Sequence, residues 1–557
     1  MSNDAGHQST VPVGDHRSRR WWCDIRWITA GVIVGTVVFL LWGLFGPEAA
    51  IRVSRETTYL TEPLAADGLP DYRAALLAMA GPAPPPEENA AAALLQVCWP
   101  LGIDDADLPK VCAALGIPNE PPADRLRAPD DDAASKVTHE MYFAAGERPW
   151  TGADLPELEA WLVKNEATIT QLVTASKRPR YWLPEPSMFR AAESMFGSWT
   201  FVDVESRHAS TILTCRAMWH IGERRYADAW RDIHAIYRFA RLVGDAKRGP
   251  TTLITELMTV RIEATASDTL TEHLLAQSDL PRDLLTEIIH DLDGLGTPSA
   301  ASNAVMTQRL EVIDTLVFVA RRAAGGRAGR SLLVEGWGSP SLGMLLRVSL
   351  DWNRVLKEMN DDFDRIHAAW ELPTYADRRV RMRQIANDAE SEFMVSIQGS
   401  QLAMGLLSCG RRSGIVAARL RARIIPSWVS ILSTVTRRRA LFDLSRTTVA
   451  LAAWRADHAG DAPAVYPERL DDLVPQYLSA VPTDPFSDKP FIYERRGSGY
   501  LLASVGENGV YDGGTDEDGD IVNGEWQDKK QDVNRNASDH VVRMPVPERP
   551  FAPSESP

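Results

Sequence analysis

The sequence has little cysteine and lacks the short motifs that mark common active sites. Only five of its 557 residues are cysteine, and none forms a CxxC pair or a Cys/His spacing of the kind that holds structural zinc. There is no GxSxG, HExxH or GxxxxGK(S/T) motif, so the hydrolases, metalloproteases and nucleotidases that these motifs define are excluded. Any catalytic site would have to be assembled from residues far apart in the chain.

A net positive charge is missing as well. The formal charge is −15 at pH 7, which excludes a general nucleic-acid binder because phosphate contacts need a basic surface. The charge is unevenly distributed: residues 411–446 hold nine arginines and one acidic residue, whereas residues 501–557 hold 12 acidic and five basic residues. Two interpretations stay open: two separate solvated faces, or a basic segment that attracts the acidic one or faces anionic lipid.

One long apolar run is present near the start. Residues 27–45, WITAGVIVGTVVFLLWGLF, contain no charge, and as a helix they would just cross about 30 Å of hydrocarbon. Four arginines precede the run and the charges after it cancel, so the positive-inside rule places residues 1–26 in the cytoplasm and residues 47–557 outside. A cleaved signal peptide, which Glu48 disfavours, and a buried core helix are the alternatives.

That orientation places four of the five cysteines in a compartment where disulfides persist. Cys98 and Cys112 flank a short loop that contains two prolines, so a disulfide between them is one interpretation. Cys215 and Cys409 fall in apolar helical patterns and are predicted to be small core residues.

The periodicity of the central region predicts successive helices. Tyr226, Trp230, Ile233, Tyr237 and Ala240 follow one another at steps of four, three, four and three, which places them on one face of one helix. The C-terminal region differs, because two alternating apolar runs flank a glycine-containing turn within residues 490–506. This pattern predicts a β-hairpin.

We therefore predict a mainly α chain with an N-terminal transmembrane helix, a large helical extracytoplasmic domain and a small C-terminal α+β module containing the hairpin. The predicted segments are a cytoplasmic polar tail (1–26), the transmembrane helix (27–45), a proline-rich juxtamembrane segment (47–136), the helical domain (137–436), the α+β module (437–530) and a disordered tail (531–557).

The module carries residues that suggest a family. They are Asp484-Pro485, Pro490, Tyr493, Tyr500, Ser504, Gly506, Gly509, Asp518, Asp520 and Ile521. In this order they resemble the C-terminal half of the major pseudopilin of type II secretion systems, over about 80 of the 557 residues. The resemblance implies a long helix packed on a small sheet and a final loop that binds calcium. It does not extend to the N-terminus, where the prepilin cleavage motif is absent.

The whole chain also resembles bacterial single-pass membrane proteins. The resemblance is carried by ETTYLTEPL and DGLPDYRAALL within residues 56–77 and by the segment that begins YPERLDDLVP at residue 466. It implies a single membrane anchor followed by a large domain outside the cytoplasm.

The stretch SVGENGVYDGGTDEDGDI, residues 504–521, is the candidate metal site. A calcium ion takes six to eight oxygen ligands, and the oxygen-bearing side chains here are Asn508, Asp512, Asp516, Asp518 and Asp520. The stretch is not an EF-hand, because Ile521 stands where that loop needs glycine and Gln527 where it needs glutamate. A structural calcium ion and a metal-free acidic surface turn are both open interpretations.

These observations favour a membrane-anchored, non-enzymatic envelope protein whose helical domain is a scaffold for protein partners. We expect residues 27–45 to contact membrane lipid and the rest of the chain to bind protein partners. We expect no binding of nucleic acid. A periplasmic hydrolase and an accessory component of a type II secretion-like apparatus are the alternatives. A deep pocket lined by a histidine and two carboxylates would favour the hydrolase, and a shallow apolar groove would favour the scaffold.

Overall fold

The computed structural model is mainly helical, with a small sheet near the C-terminus. It describes residues 16–46, 48–99, 103–126, 137–183, 202–245, 250–298, 302–324, 348–398, 408–459, 466–514, 519–522, 525–528 and 539–547. Helix accounts for 61% of these residues and strand for 6%. The predicted mainly α class with a C-terminal β element is therefore confirmed.

The first helix, α1 (His16–Phe45), contains the predicted transmembrane segment. Its apolar side chains are exposed, with Trp27 at 77% and Phe39 at 72% of their full accessible surface. Over the described residues, no helix satisfies a criterion for membrane crossing that combines length with sustained hydropathy. The placement of residues 27–45 in lipid thus stays a prediction.

The helical region continues with short helices and then long ones. They are α2 (Tyr72–Ala80), α3 (Ala90–Val97), α4 (Leu108–Leu115), α5 (His139–Ala144), α6 (Pro156–Lys164), α7 (Glu166–Ala175), α8 (Val202–Gly222), α9 (Tyr226–Val243), α10 (Leu253–Asp268), α11 (Arg282–Leu295) and α12 (Ser302–Ala324). A π-helical turn, Thr269–Leu274, extends α10. Thr252, at the start of α10, accepts a backbone hydrogen bond from the first turn, as its residue type predicts.

Four further helices complete this region: α13 (Trp352–Trp370), α14 (Tyr375–Ser396), α15 (Cys409–Ile424) and α16 (Ser427–Asp457). Asp351 and Thr374 cap α13 and α14 in the same way as Thr252 caps α10. Only four residues connect α13 to α14, which makes the two helices antiparallel neighbours.

Two apolar cores share the long helix α16. One core joins α3 to α11 with the second half of α16 and the C-terminal sheet, and it includes all five residues of the predicted α9 face. The other joins α12 to α15 with the first half of α16, where Trp428 and Ile431 are buried. The periodicity prediction for α9 is confirmed, whereas the division into two cores was not predicted.

The C-terminal sheet contains the predicted hairpin. Strands β3 (Ile492–Arg496) and β4 (Gly499–Ser504) are antiparallel, and β7 (His540–Met544) pairs with the other edge of β4. Two short pairs flank this sheet: β1 (Thr483–Asp484) with β2 (Lys489–Pro490), and β5 (Gly519–Val522) with β6 (Glu525–Asp528). The prediction of a disordered tail over 531–557 is wrong for β7, because β4 needs a second partner for its backbone groups.

The cysteines are not joined as one interpretation suggested. Cys98 and Cys112 are buried and form no disulfide in the structure. Cys215 is buried in the core as predicted, whereas Cys409 is only half-buried, with its sulfur 3.4 Å from the carbonyl oxygen of Ser349.

The arginines of residues 411–446 do not all lie on one solvated face, because Arg412, Arg421 and Arg438 are buried. Arg421 pairs with Asp362 and Arg438 with Glu263, and in both pairs the partners are buried and lie on different helices. The sequence showed only the local excess of arginine, because the acidic partners lie up to 175 residues away. The solvated-face interpretation is therefore wrong for Arg421 and Arg438, each of which joins helices, whereas Arg411, Arg423 and Arg439 are exposed.

Candidate functional site

The predicted acidic loop begins at a buried carboxylate. Asp484 accepts hydrogen bonds from the backbone N–H of Phe486 at 3.0 Å and of Val505 at 2.9 Å, and from the hydroxyl of Ser504 at 2.8 Å. A carboxylate that is buried with several donors is held firmly. Asp484 thus ties the end of β4, where the loop starts, to the β1–β2 turn.

Two of the predicted ligands meet in the first turn of the loop. The Asn508 side-chain amide donates to Asp512 Oδ2 at 2.7 Å, and the Asn508 oxygen accepts from the backbone N–H of Val510 at 2.8 Å. Gly506 and Gly509 both have positive φ, which turns the chain back on itself here. The structure therefore brings Asn508 and Asp512 together through a hydrogen bond between them.

The other predicted ligands are not assembled within the described part of the chain. Asp516 and Asp518 lie outside it, and Asp520 lies in β5, with only its backbone described. Among the side chains that the structure does describe, no group of three or more His, Cys, Asp or Glu residues is arranged to hold a metal. The predicted calcium site is neither assembled nor excluded by these residues.

Asp539 joins the loop and was not predicted from the sequence. Its carboxylate is fully buried, and one oxygen, Oδ2, accepts from the backbone N–H of Asp512 at 2.9 Å and of Gly514 at 3.0 Å. The second oxygen, Oδ1, makes no hydrogen bond with any described residue. Burial, together with the charges of Asp512 and Asp484, raises the pKa of Asp539 to about 6. A buried carboxylate oxygen without a donor is the kind of group that a cation satisfies.

A charged cleft lies between α13, α14 and α15, with a volume of about 880 Å³. Its basic lining residues are Arg354, Arg365, Arg411 and Arg421. Its acidic lining residues are Glu358, Asp361, Asp362 and Glu392. Among the described residues, the lining of the cleft includes no histidine, so it is not the pocket expected of a hydrolase. The lining is also strongly charged, so it is not the shallow apolar groove expected of a scaffold.

Arg421 is the most heavily paired of these cations. It contacts Asp362 directly, and its Nη1 lies 2.5 Å from Glu392 Oε2 and 3.8 Å from Glu358 Oε2. Burial lowers the pKa of Arg421, but Asp362 and Glu392 more than offset this effect and keep the pKa above its ordinary value. Arg421 therefore stays charged and joins all three helices of the cleft.

Arg354 occupies the end of the cleft where α13 and α15 begin. Its Nε donates to Glu358 at 2.7 Å and its Nη1 to the carbonyl oxygen of Gly410 at 2.9 Å. A Cβ on Gly414 would lie 2.8 Å from Arg354 Nη2. The absence of a side chain at Gly414 is thus what leaves room for the Arg354 guanidinium.

A histidine and a carboxylate pair elsewhere, between α9 and α11. His234 Nδ1 lies 2.9 Å from Asp291 Oδ2, which also accepts from the indole N–H of Trp230 at 2.9 Å. This arrangement orients a histidine in the manner of a general base. However, His234 is buried, so a substrate would not reach it in this conformation. Burial lowers the pKa of His234 to about 4, with a further contribution from Arg238.

Because three histidines are buried, we expect the folded protein to lose stability at acidic pH. Burial lowers the pKa of His220 and His540 to about 3 and that of His234 to about 4. Because their folded-state pKa values lie below the unfolded value of about 6.5, their contribution to stability is complete above pH 6.5 and is lost as the pH falls toward 4. Each histidine contributes a slope of about 1.4 kcal/mol per pH unit over this range.

We expect His540→Phe to reduce that slope, measured as the loss of thermal stability between pH 6.5 and 4.5. Replacing the exposed His290 with phenylalanine is the control and should leave the slope unchanged. Equal slopes for the two variants would contradict the prediction.

Comparison with protein-family models, with curated protein sequences and with solved structures finds no match to this chain.

Proposed function

We propose that this protein is a membrane-anchored, non-enzymatic envelope protein whose helical domain binds a protein partner in the charged cleft. The observation that carries the proposal is the cleft itself, in which four guanidinium groups and four carboxylates line about 880 Å³ between three helices. A lining with positive and negative side chains suits a polypeptide segment that itself carries positive and negative side chains. It disfavours a polyanion, which the carboxylates would repel.

Binding fits this lining better than catalysis. Catalytic acids and bases need pKa values near the operating pH, whereas Arg421 is held in its charged form by Asp362 and Glu392. The ion pairs at the mouth, such as Arg354 with Glu358, are more exposed and can exchange partners with a bound segment. The buried ion pair of Arg421 with Asp362 therefore stays in place, while the more exposed pair of Arg354 with Glu358 can rearrange when a partner binds.

The anchor proposed is α1, with residues 1–26 in the cytoplasm and the bulk of the chain outside it. The support is the uncharged run 27–45, the arginines before it and the exposure of the apolar side chains of α1. Carbonate extraction tests the anchor, and a C-terminal tag accessible only from the cytoplasm would overturn the orientation.

A photo-crosslinking amino acid tests the cleft. Placed at Ser391, which lines the cleft, it should give a discrete adduct in native membranes. At the preceding residue, Glu390, which lies on a different face of α14, it should not. Arg354→Ser should abolish the Ser391 adduct, whereas Arg381→Ser, on α14 but outside the cleft, should not. Identical adducts from Ser391 and Glu390 would contradict the proposal.

We further propose a structural calcium ion at the acidic loop, supported by the fully buried Asp539, whose Oδ1 accepts no hydrogen bond from the residues that the structure describes. Asp512, whose backbone N–H bonds Asp539 and whose charge helps to raise the pKa of Asp539, is the second carboxylate that we assign to the ion. When bound, calcium would supply the positive charge that this pair of carboxylates lacks. The ion's role would be to fix the loop to β7.

Asp539→Asn removes the buried negative charge, so its melting temperature with and without calcium distinguishes loss of calcium binding from relief of the charge's burial. The raised pKa of Asp539, about 6, means that the folded protein loses stability as the pH rises from about 3.8 to above 6. In chelator at pH 8 the variant should therefore melt higher than the wild type. Calcium at 100 times its dissociation constant should stabilise the wild type by about 2.7 kcal/mol and leave the variant unchanged.

The matched control is Glu507→Gln, which removes an exposed carboxylate in the same loop and should keep the calcium response. Wild-type melting temperatures that are equal with calcium and with chelator would contradict the calcium site.

A further inference from the structure

The end of α1 is joined to the helical domain without a free linker. The backbone N–H of Ser349 donates to the Leu44 carbonyl at 2.9 Å, and its hydroxyl donates to the Gly46 carbonyl at 2.5 Å. The indole N–H of Trp352 donates to the Glu48 carboxylate at 2.9 Å. The start of α13 is thus held against the point where α1 ends.

The chain after α1 then follows one face of α13. Asn353 accepts from the backbone N–H of Arg52 at 2.7 Å, and Asn360 donates to the Thr57 carbonyl at 2.6 Å. Lys357 lies between them and pairs with Glu56 at 3.0 Å. The steps of four and three along α13 keep these contacts on one side of the helix, so the segment that follows α1 is fixed to α13 over about two turns.

Two other helices have an end at this same place. Cys409, the first residue of α15, and Arg412 both contact the Ser349 carbonyl oxygen, Arg412 at 3.0 Å. Because a four-residue connection makes α14 antiparallel to α13, α14 ends near the start of α13, and Val395 and Arg354 line the same cleft. One end of the domain, which we call the α1-proximal end, therefore gathers the starts of α13 and α15 and the end of α14.

The α1-proximal end exposes apolar side chains and a cation. At the end of α14, Met394 is 51%, Val395 55% and Ile397 39% exposed. Arg411 is exposed in the first turn of α15. Adjacent exposed apolar side chains are unfavourable in water, and a basic side chain beside them is attracted to an anionic lipid surface.

We propose that the α1-proximal end lies against the bilayer surface, with Met394, Val395 and Ile397 at the headgroup–acyl boundary and Arg411 on the phosphates of anionic lipid. This inference rests on the proposed anchoring by α1, since only then does the end of α1 lie at the membrane surface. The cleft reaches this same end, where Arg354, Val395 and Arg411 are among its lining residues. In this arrangement one end of the cleft lies close to the membrane surface.

The test uses the full chain in vesicles of phosphatidylcholine with phosphatidylglycerol, with brominated lipid as quencher. An environment-sensitive fluorescent amino acid is placed singly at Phe39, Val380 or Val395. Val380 is the matched control, since it is an exposed valine on the same helix, about 22 Å from Val395. Quenching at Val395 should be at least about threefold stronger than at Val380, because interfacial contact is confined to the outer 5–10 Å or so of the membrane.

The outcomes separate this inference from the anchor on which it rests. Quenching at Phe39 without quenching at Val395 would overturn the inference and leave the anchor intact, and so would equal quenching at Val380 and Val395. Absence of quenching at Phe39 and Val395 together would overturn both.

The lipid charge provides a second readout. In phosphatidylcholine alone, quenching at Val395 should fall, because a basic residue near an anionic surface contributes about 1 kcal/mol, or about fivefold in the attached population. Arg411→Ser should remove this dependence on lipid composition, and Arg383→Ser, an exposed cation of α14, should keep it. A dependence unchanged by Arg411→Ser would overturn the role of Arg411.

Discussion

Arg438→Leu is expected to destabilise the protein by about 3–5 kcal/mol, because it leaves a buried carboxylate without its principal partner. Arg438 Nε lies 2.6 Å from Glu263 Oε2, and both side chains are almost completely buried. Arg241 Nη2 lies 2.9 Å from the other Glu263 oxygen, and burial lowers the pKa of Arg241 to about 10. Arg241 approaches only one of the two Glu263 oxygens, so without Arg438 the other oxygen loses its cation.

The location of this cluster enlarges the effect. Arg438 lies in the middle of α16, between the half that packs in one apolar core and the half that packs in the other. Glu263 is on α10, so the pair joins α10 to α16 at the boundary between the cores. Loss of the pair should weaken the contact between cores as well as the local structure.

Thermal unfolding of the full chain in detergent, followed by near-ultraviolet circular dichroism, measures this effect. Arg446→Ala is the control on the same helix, because the Arg446–Asp293 pair is partly exposed and such pairs contribute about 0–1 kcal/mol. If the two variants lower the melting temperature equally, the buried pair does not have the role assigned to it.

Gly499→Ala is expected to separate β7 from β4, at a cost of more than about 3 kcal/mol. A Cβ at Gly499 would lie 1.7 Å from the carbonyl oxygen of Met544, which is backbone and cannot rotate away. Met544 pairs with Tyr500 in the sheet, so the strands must move apart at this end. The amides of β7 should then exchange hydrogen with solvent much faster.

Gly497→Ala in the same hairpin is the matched control. Gly497 has a φ of +59°, and no described atom lies within 4 Å of the position that an alanine Cβ would take. Only the left-handed backbone conformation therefore costs energy, about 1–2 kcal/mol. Hydrogen exchange of residues 540–544 should accelerate in Gly499→Ala and change little in Gly497→Ala. Equal protection in the two variants would contradict the predicted overlap.

The sequence predicted those elements whose signals are local. The spacing from Tyr226 to Ala240 identified a buried helix face, because a period of 3.6 residues is set by the helix alone. The alternation around Gly497 identified β3 and β4, because a short turn fixes which residues oppose each other. For the site, the sequence singled out Asn508 and Asp512 as calcium ligands because their side chains carry oxygen. The structure joins the two side chains by a hydrogen bond, and their binding of calcium stays a prediction.

Asp539 and the cleft could not be predicted because they depend on contacts between distant parts of the chain. Asp539 is 27 residues from Asp512 and reaches it only because β7 pairs with β4. The cleft combines three helices, and Arg421 lies 59 residues from Asp362. Charge counting even suggested solvated arginines, since a sequence gives the charges without showing which of them meet.

By itself, the sequence determined the mainly helical class, the hairpin, the apolar run of α1 and the lack of three common catalytic motifs, because each follows from composition, from short-range periodicity or from residues close together in the chain. The tertiary structure alone decided that Arg421 and Arg438 join helices, that α16 connects two cores, and that the end of α1 is fixed to α13. Burial and pairing decide these features, and both depend on which distant segments pack together.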